Sequence, residues 1–398
     1  MMLEHKLLTQ LNTGFADAFG GVPTDYFSAP GRTEIGGNHT DHQRGHVLAA
    51  AVDVDTRAAV AINGTDTIRV LSEGYPLCSV SLSQLEVCPE EKNTTAALVR
   101  GVAARFVQLG CAVGGFDAYV TSSVLPGSGL SSSAAFEVLM ATIINALFFD
   151  SKLAPPQLAQ IAQYAENVYF GKPCGLMDQM ASAVGGLVAI DFADPDRPQI
   201  TEVDFDFDAA GYKLCIIDTG ADHADLTDAY AAIPGELKAV SAYFGKQVLS
   251  QVPREDFENA ISQLRQSCGD RAVLRAMHFY EEDVRVALQV RALGDGDVER
   301  FMQLVTESGN SSYMQLQNVI VPGSVVHQEV ALALSLCRRF LNGRGAYRVH
   351  GGGFAGTVQA FVPEDMLTEF CRQIRNVLGE NACKVMSVRK NGATRLKM

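Results

Sequence analysis

Apolar and polar positions along the chain follow two different periods, and the switches between them mark out the elements. Residues 3 to 20 place Leu7, Leu8, Leu11, Phe15 and Phe19 at helical spacing, which predicts an amphipathic helix. Val47 to Val60 is almost continuously apolar and predicts core strands; Asp66 to Ser81 alternates and predicts a half-exposed pair of strands. A helix is expected over 94–109, then a β-branched strand over Gly115–Val124. Ala134 to Phe149 is apolar on all sides and predicts a buried helix. Gln157–Phe170 predicts another helix, and residues 186–192 and 213–219 predict short buried strands. From about residue 233 the pattern is helical and charged, with Arg271 to Glu282 reading as a solvated face. Arg344–Val358 reads as strand, glycine turn, strand, followed by a helix near 365–379 and a last strand near 384–389. This order predicts an α+β protein, and no internal repeat occurs.

The stretches where the periodicity stops are rich in glycine and polar groups. Leu125-Pro126-Gly127-Ser128-Gly129-Leu130-Ser131-Ser132-Ser133-Ala134 lies where a strand passes into a helix. Free backbone N–H groups and the positive end of a helix dipole meet there, which favours a phosphate. Glycines allow close backbone approach, and serines add hydroxyl donors. The loop is not a Walker A loop, because Gly129 is followed by Leu130 and Ser131, nor a Rossmann loop, because residue 132 is serine. Tyr26 to Gly45 reads on composition as a tightly folded loop. His39, His42 and His46 raise a metal site, but Gly36, Gly37 and Gly45 argue against a helix to align them. Gly171 to Ser182 is a third such run, with Asp178 where a helix would begin; alone, that aspartate reads as a cap or first-turn charge. Gly351–Gly356 does not make a dinucleotide loop, since no long helix with an acidic ribose partner follows it.

At 398 residues the chain is long enough for two domains, placed here at 1–205 and 206–398. Its net charge of −13 disfavours nucleic acid and anionic membranes as partners. The longest apolar stretch, Met140 to Phe149, is broken by Thr142 and Asn145 and is too short to span a bilayer. No cationic segment with an apolar core opens the chain, and nine cysteines without a Cys-x-x-Cys pair point to reduced thiols. A cytoplasmic enzyme is expected, as a monomer or weak homo-oligomer.

The Pro-x-Gly-x-Gly-Leu-Ser-Ser-Ser-Ala pattern resembles the ATP loop of the GHMP kinases, a family of small-molecule kinases. Gly31-Arg32-Thr33-Glu34-Ile35-Gly36-Gly37-Asn38-His39-Thr40-Asp41-His42 is similar to the galactokinase signature Gly-Arg-x-Asn-Leu-Ile-Gly-Glu-His-x-Asp-Tyr, in register without gaps. Cys174-Gly175-Leu176-Met177-Asp178-Gln179 resembles the segment that carries the family's catalytic aspartate, and Glu166 lies twelve residues before Asp178, as the family's magnesium ligand does. His223 to Tyr230 looks like the family's His…Tyr stretch, and Gly351–Gly356 resembles its third, glycine-rich motif. The resemblance implies a two-domain GHMP kinase fold. An N-terminal α/β domain with a mixed sheet and a C-terminal ferredoxin-like α+β domain would hold the active site between them.

It further implies transfer of a phosphoryl group from MgATP to the anomeric C1 hydroxyl of galactose. Gly127, Ser128, Gly129, Leu130, Ser131, Ser132 and Ser133 would hold ATP, with Ser133 and Glu166 as ligands of Mg2+. Asp178 would be the base, supported by Arg32. Asn38, His39, Thr40, Asp41, Gly175 and Tyr230 would hold the sugar. The chain departs from the signature at Glu34, Ile35, Gly36, Asn38 and His42. Asn38 stands where the family has a glutamate that recognises the sugar near its C6 hydroxyl, and an amide there removes repulsion toward a carboxylate. A galacturonate-like substrate therefore stays open beside galactose, as does a catalytically silent sugar sensor. Retention of Arg32, Ser133, Glu166 and Asp178 argues against the sensor. Oxidation of Cys174, next to the expected pocket, would be a way to block it.

Overall fold

The computed structural model describes residues 2–124, 127, 129–195, 197–221 and 226–397. Strand β1 (Asp25–Gly36) is buried along its whole length and pairs antiparallel with the long strand β2 (His46–Ile62). The stretch expected as a loop over 26–45 is therefore mostly strand, and only residues after Gly36 form a turn. Its glycines and proline mislead because they lie at register shifts, between Pro30 and Arg32 and between Glu34 and Gly36. A bulge needs no ladder N–H from proline and tolerates glycine in mid-strand.

The other strands are β3 (Thr67–Ser72), β4 (Cys78–Ser81), β5 (Phe116–Ser122), β6 (Leu187–Asp191), β7 (Gln199–Val203), β8 (Tyr212–Asp218), β9 (Ala346–His350), β10 (Thr357–Pro363), β11 (Cys383–Met386) and β12 (Thr394–Arg395). Among the described residues they form two sheets. The first runs β12-β1-β2-β5-β3-β4, with β6 joining β2 and β7 joining β6. It is mixed, because β3 and β5 are parallel while the other pairs are antiparallel. The second runs β11-β8-β10-β9, all antiparallel. With one helix between β10 and β11 and several between β8 and β9, this is the ferredoxin-like order.

The helices are α1 (Met2–Phe19), α2 (Thr95–Gln108), α3 (Ser132–Phe148), α4 (Pro155–Tyr164), α5 (Met177–Val184), α6 (Thr227–Tyr243), α7 (Arg254–Asn259), α8 (Ile261–Ser267), α9 (Asp270–Gly294), α10 (Val298–Ser311), α11 (Glu329–Leu341) and α12 (Leu367–Leu378). Two run on into π-helical turns, α4 through Ala165–Phe170 and α10 through Ser312–Leu316. Leu11 and Phe15 of α1 cover one face of the first sheet with Tyr26, while Phe27, facing the other way, packs with residues of α2 to α5. A second core beneath the ferredoxin-like sheet gathers Cys215, Val358, Phe370 and Ile374. Between the two, Ile35, Leu48, Val124 and Leu130 share one buried cluster with Leu214, Phe301 and Phe361. That seam is where the site forms.

The Arg271–Glu282 stretch does not present a solvated face. In α9, Arg275, His278 and Glu282 are buried, because this side of the helix turns toward the 37–46 turn and α10. No helix among the described residues is long and apolar enough to cross a membrane.

Candidate active site

Three separate chain segments converge on one carboxylate. Arg32, on β1, donates from Nε to Asp178 Oδ1 at 2.6 Å and from Nη2 to Oδ2 at 2.7 Å. Such a fork fixes the plane of the carboxylate as well as its charge. Ser131, just before α3, donates its hydroxyl to Asp178 Oδ2 at 2.6 Å. Burial alone would raise the Asp178 pKa, but the Arg32 charge and the hydrogen bonds outweigh it and hold it below the usual aspartate value. Asp178 sits in the first turn of α5, as a capping residue would, yet its carboxylate faces other segments.

The neighbouring acid, Glu166, is bonded by Gln179, the residue after Asp178. Ser133 donates to Glu166 Oε1 at 3.1 Å, and Gln179 Nε2 donates to Glu166 Oε2 at 2.8 Å. Glu166 belongs to the π-helical turn after α4, a distortion often found at functional sites. A hydroxyl and a carboxylate this close are hard oxygen donors of the kind Mg2+ takes. The Lys172 ammonium, 3.3 Å from Glu166 Oε1, shows that this carboxylate already attracts a cation. Behind it Glu137 is fully buried and pushed well above the usual carboxylate range by desolvation and by Glu166.

The phosphate-type loop is seated by the second half of the chain. Gly127 and Gly129 have φ of +75° and +73°. A Cβ on Gly129 would stand 2.4 Å from Thr357 Oγ1 and 3.0 Å from His350 Nδ1, so only glycine fits. Ser131 is also left-handed, at φ 59°, and its bond to Asp178 holds that strained residue in place. Leu130 is 1% exposed and its carbonyl takes the Arg32 N–H at 3.0 Å, so its side chain packs in the core instead of facing a nucleotide. Ser132 and Ser133 are half-buried at the start of α3. Ser128 lies outside the described residues, as do Leu125, Pro126 and the His223–Asp225 part of the His…Tyr stretch.

On the other side of Asp178, Asp41 and Gly175 touch. A Cβ on Gly175 would fall 1.8 Å from Asp41 Oδ2. His39, left-handed at φ 61°, reaches Gly352 O with Nε2 at 3.0 Å; burial, then the nearby His42, lowers its pKa to about 4. It is neutral at pH 7. Tyr230 donates to Gly353 O at 2.8 Å and stacks edge-on against Phe354. Asp41, Gly175, His39 and Tyr230 thus line up along the β9–β10 turn and the start of α5.

Two of the expected sugar residues stand elsewhere. Thr40 is fully buried, its hydroxyl bonded to Gly37 O at 2.8 Å and His46 O at 2.6 Å, and it holds the turn. Asn38 is also fully buried. Its Nδ2 donates to Glu34 Oε1 at 3.0 Å and Gly351 O at 2.6 Å, and its Oδ1 accepts from Asn318 Nδ2 at 2.8 Å and Ser312 Oγ at 3.3 Å. Every polar atom of this amide is engaged by protein. Glu34 in turn pairs with the fully buried Arg348 at 2.5 Å.

Sequence reasoning missed this network, although the signal was present. The galactokinase signature has Asn at position 34 and Glu at 38; this chain has the reverse, and the two side chains touch. A paired exchange of carboxylate and amide was legible as a contact. His278 and Glu282 were also missed. His278 bonds Asn38 O at 2.9 Å, while Glu282 accepts from Gly37 N at 3.0 Å and Ser308 at 2.6 Å. Glu282 is held at about 2, the His278 and Arg285 charges outweighing the larger upward push of burial. Cys174 is different. Its thiol is pushed far up by burial and by Glu166, so it stays protonated and poorly reactive, against the expected sensitivity to oxidation.

A forked Arg–Asp pair, an oxygen-donor site and a glycine loop at a helix start, gathered at the seam of two sheets, define a small-molecule kinase site. The family model described as GHMP kinases N terminal domain matches residues 97–186, and the galactokinase galactose-binding signature matches residues 13–62. A Streptomyces coelicolor galactokinase is 31% identical over 391 residues, covering 96% of this chain and 97% of that protein. The chain belongs to the galactokinase family. The same fold occurs in Lactococcus lactis galactokinase complexed with galactose (TM-score 0.85, 23% identity, 98% of this chain and 100% of that one). It also occurs in Methanococcus jannaschii mevalonate kinase (TM-score 0.64, 14% identity, 93% and 99%).

Proposed function

We propose that this chain phosphorylates the anomeric C1 hydroxyl of galactose from ATP, with Asp178 as the base. The observation that carries the reading is the Asp178 carboxylate, gripped by Arg32 and Ser131 between the glycine loop and the Asp41–Gly175 contact. Phosphoryl transfer asks mainly for alignment and charge neutralisation. Asp178, kept ionised, accepts the hydroxyl proton as the oxygen attacks, and the Arg32 fork keeps one carboxylate edge in line. Arg32 also donates to Gly129 O, which ties the base to the loop that would hold the phosphates. Ser133 and Glu166 would hold Mg2+, which supplies charge neutralisation on the phosphates. On the sugar side, neutral His39 with Asp41 and Tyr230 supplies donors and acceptors for hydroxyls. Asn38 acts from beneath, by holding the turn that presents His39, so the Glu-to-Asn change does not by itself favour galacturonate.

The test is ATP consumption by the purified protein with galactose, galacturonate, N-acetylgalactosamine and glucose, with and without Mg2+. Turnover of galactose that needs Mg2+ supports the reading. A preference for galacturonate would overturn the substrate, and bound ATP with no turnover of any sugar would make the chain a sensor. Asp178→Asn should lower kcat by about 10²–10⁴ while leaving ATP binding in place, and retention of more than about a tenth of the activity would remove Asp178 as the base.

A further inference from the structure

Away from the kinase site, three cysteines from three elements of the second sheet meet. Cys215 lies on β8, Cys383 on the adjacent edge strand β11 and Cys371 on α12, which packs over both. In the register of β8 and β11, Val385 faces Cys215, so Cys383, two residues along, points to the same side. The Cys383 thiol contacts Cys371 Sγ at 3.5 Å, and all three sulfurs lie within 4.8 Å of one another. They are 0%, 2% and 6% exposed, the last being Cys371. We propose that Cys215, Cys371 and Cys383 form an all-sulfur site for a soft, thiophilic cation of the Cu(I) type.

The sulfur separations bracket those such an ion sets. A metal at about 2.3 Å from each of three sulfurs in a plane sets them about 4.0 Å apart, between the 3.5 Å of the Cys371–Cys383 contact and the 4.8 Å that bounds the group. The surroundings are apolar, with Ile217, Phe370, Ile374 and Ala382 in the same cluster and Cys337 as a further buried thiol beside it, and among the described residues no His, Asp or Glu joins the three sulfurs. Zinc prefers four ligands, whereas three sulfurs form the group found among the described residues. Each thiol that binds releases its proton to solvent. The charge that builds up has a neighbour: Arg375 donates from Nη2 to Cys383 O at 3.0 Å, and its Nε is buried without a partner. Cys371, the least buried of the three, gives the approach. An ion here would tie α12 to β8 and β11.

The experiment is anaerobic titration of the reduced, full-length protein with Cu(I) against a chromophoric Cu(I) chelator, with Zn(II) as the comparison. One equivalent of Cu(I) should be withdrawn from the chelator, zinc should bind more weakly, and X-ray absorption should show sulfur ligands only. Cys371→Ser should weaken Cu(I) binding by about 10–100-fold, whereas Cys268→Ser, outside the cluster, should leave it unchanged. Kinase activity and circular dichroism report whether each variant is folded, and the absorption spectrum of the unmodified protein needs no variant. Three results would overturn the site: no Cu(I) withdrawn, equal binding by Cys371→Ser, or oxygen or nitrogen ligands in the spectrum. Mass spectrometry showing a Cys371–Cys383 disulfide in place of metal binding would also overturn it.

Discussion

Asn38→Glu restores the residue that the galactokinase signature carries at this position, yet it should damage this protein. The new carboxylate would lie about 3 Å from Glu34 Oε1 in a fully buried site, where Asn38 now donates at 3.0 Å. At an effective dielectric near 20, two charges that close repel by about 5 kcal/mol. Protonating one avoids the repulsion but costs up to about 4 kcal/mol at pH 7.5, and less for Glu34, whose pKa burial already raises. The donor to Gly351 O is also lost, at about 1–3 kcal/mol. The expected loss of stability is about 3–5 kcal/mol, shrinking as pH falls toward 5 because protonation becomes cheaper. Glu34→Asn combined with Asn38→Glu puts one amide and one carboxylate back in contact and should recover at least about 2 kcal/mol of it. Urea unfolding of the four proteins at pH 7.5 and 5.5 measures the cycle. A single variant within about 1 kcal/mol of the parent, or a double variant with no recovery, would refute the idea that the two positions exchanged roles as a pair.

Other perturbations probe the two sides of Asp178 separately. Gly175→Ala drives a Cβ to 1.8 Å from Asp41 Oδ2, so the carboxylate must move; KM for galactose should rise by about tenfold or more with KM for ATP unchanged, worth about 1.4 kcal/mol in steady-state kinetics. Gly129→Ala adds a side chain at φ +73° and 2.4 Å from Thr357 Oγ1; here KM for ATP should rise and kcat should fall, while galactose binding by calorimetry stays near that of the parent. Glu282, held at about 2 against an ordinary 4.5, stabilises the fold fully above pH 4.5 and loses that contribution as pH falls toward 2. The span is about 3 kcal/mol, and Glu282→Gln should flatten the acid limb of stability measured by urea unfolding across that window.

The ATP-type loop, Glu166 and Asp178 were legible because each sits where an element begins or ends, and their spacing carries over from one chain to another. The strand over Asp25–Gly36 was not, since bulges let Pro30, Gly31 and Gly36 stand inside a sheet whose composition reads as a turn. Arg275, His278 and Glu282 were misread for a related reason. Periodicity places a charged stripe on one face of α9 but does not say that the face is covered. Only the partners Gly37, Asn38, Ser308 and Leu316, distant in sequence, turn that stripe into an interior.

The two sides of Asp178, the glycine loop and the turn after β1, answer to the same buried residues. His350 bonds Thr33 of β1 at 3.0 Å and Thr357 at 2.8 Å, and Thr357 sets the space left for Gly129. Two residues further along β1 from Arg32, Glu34 pairs with Arg348 and Asn38, and Asn38 holds Gly351 beside the glycine that His39 contacts. Alternate residues of one strand therefore point to Asp178 and to the buried network under the turn that carries His39, while β9 braces both. Buried polar groups are costly unless each finds a partner. A shift of β9 relative to β1 would part Arg348 from both Glu34 and Ile35 O, leaving a buried charge on each side, so the alignment of Asp178, the glycine loop and the turn after β1 is enforced as a unit.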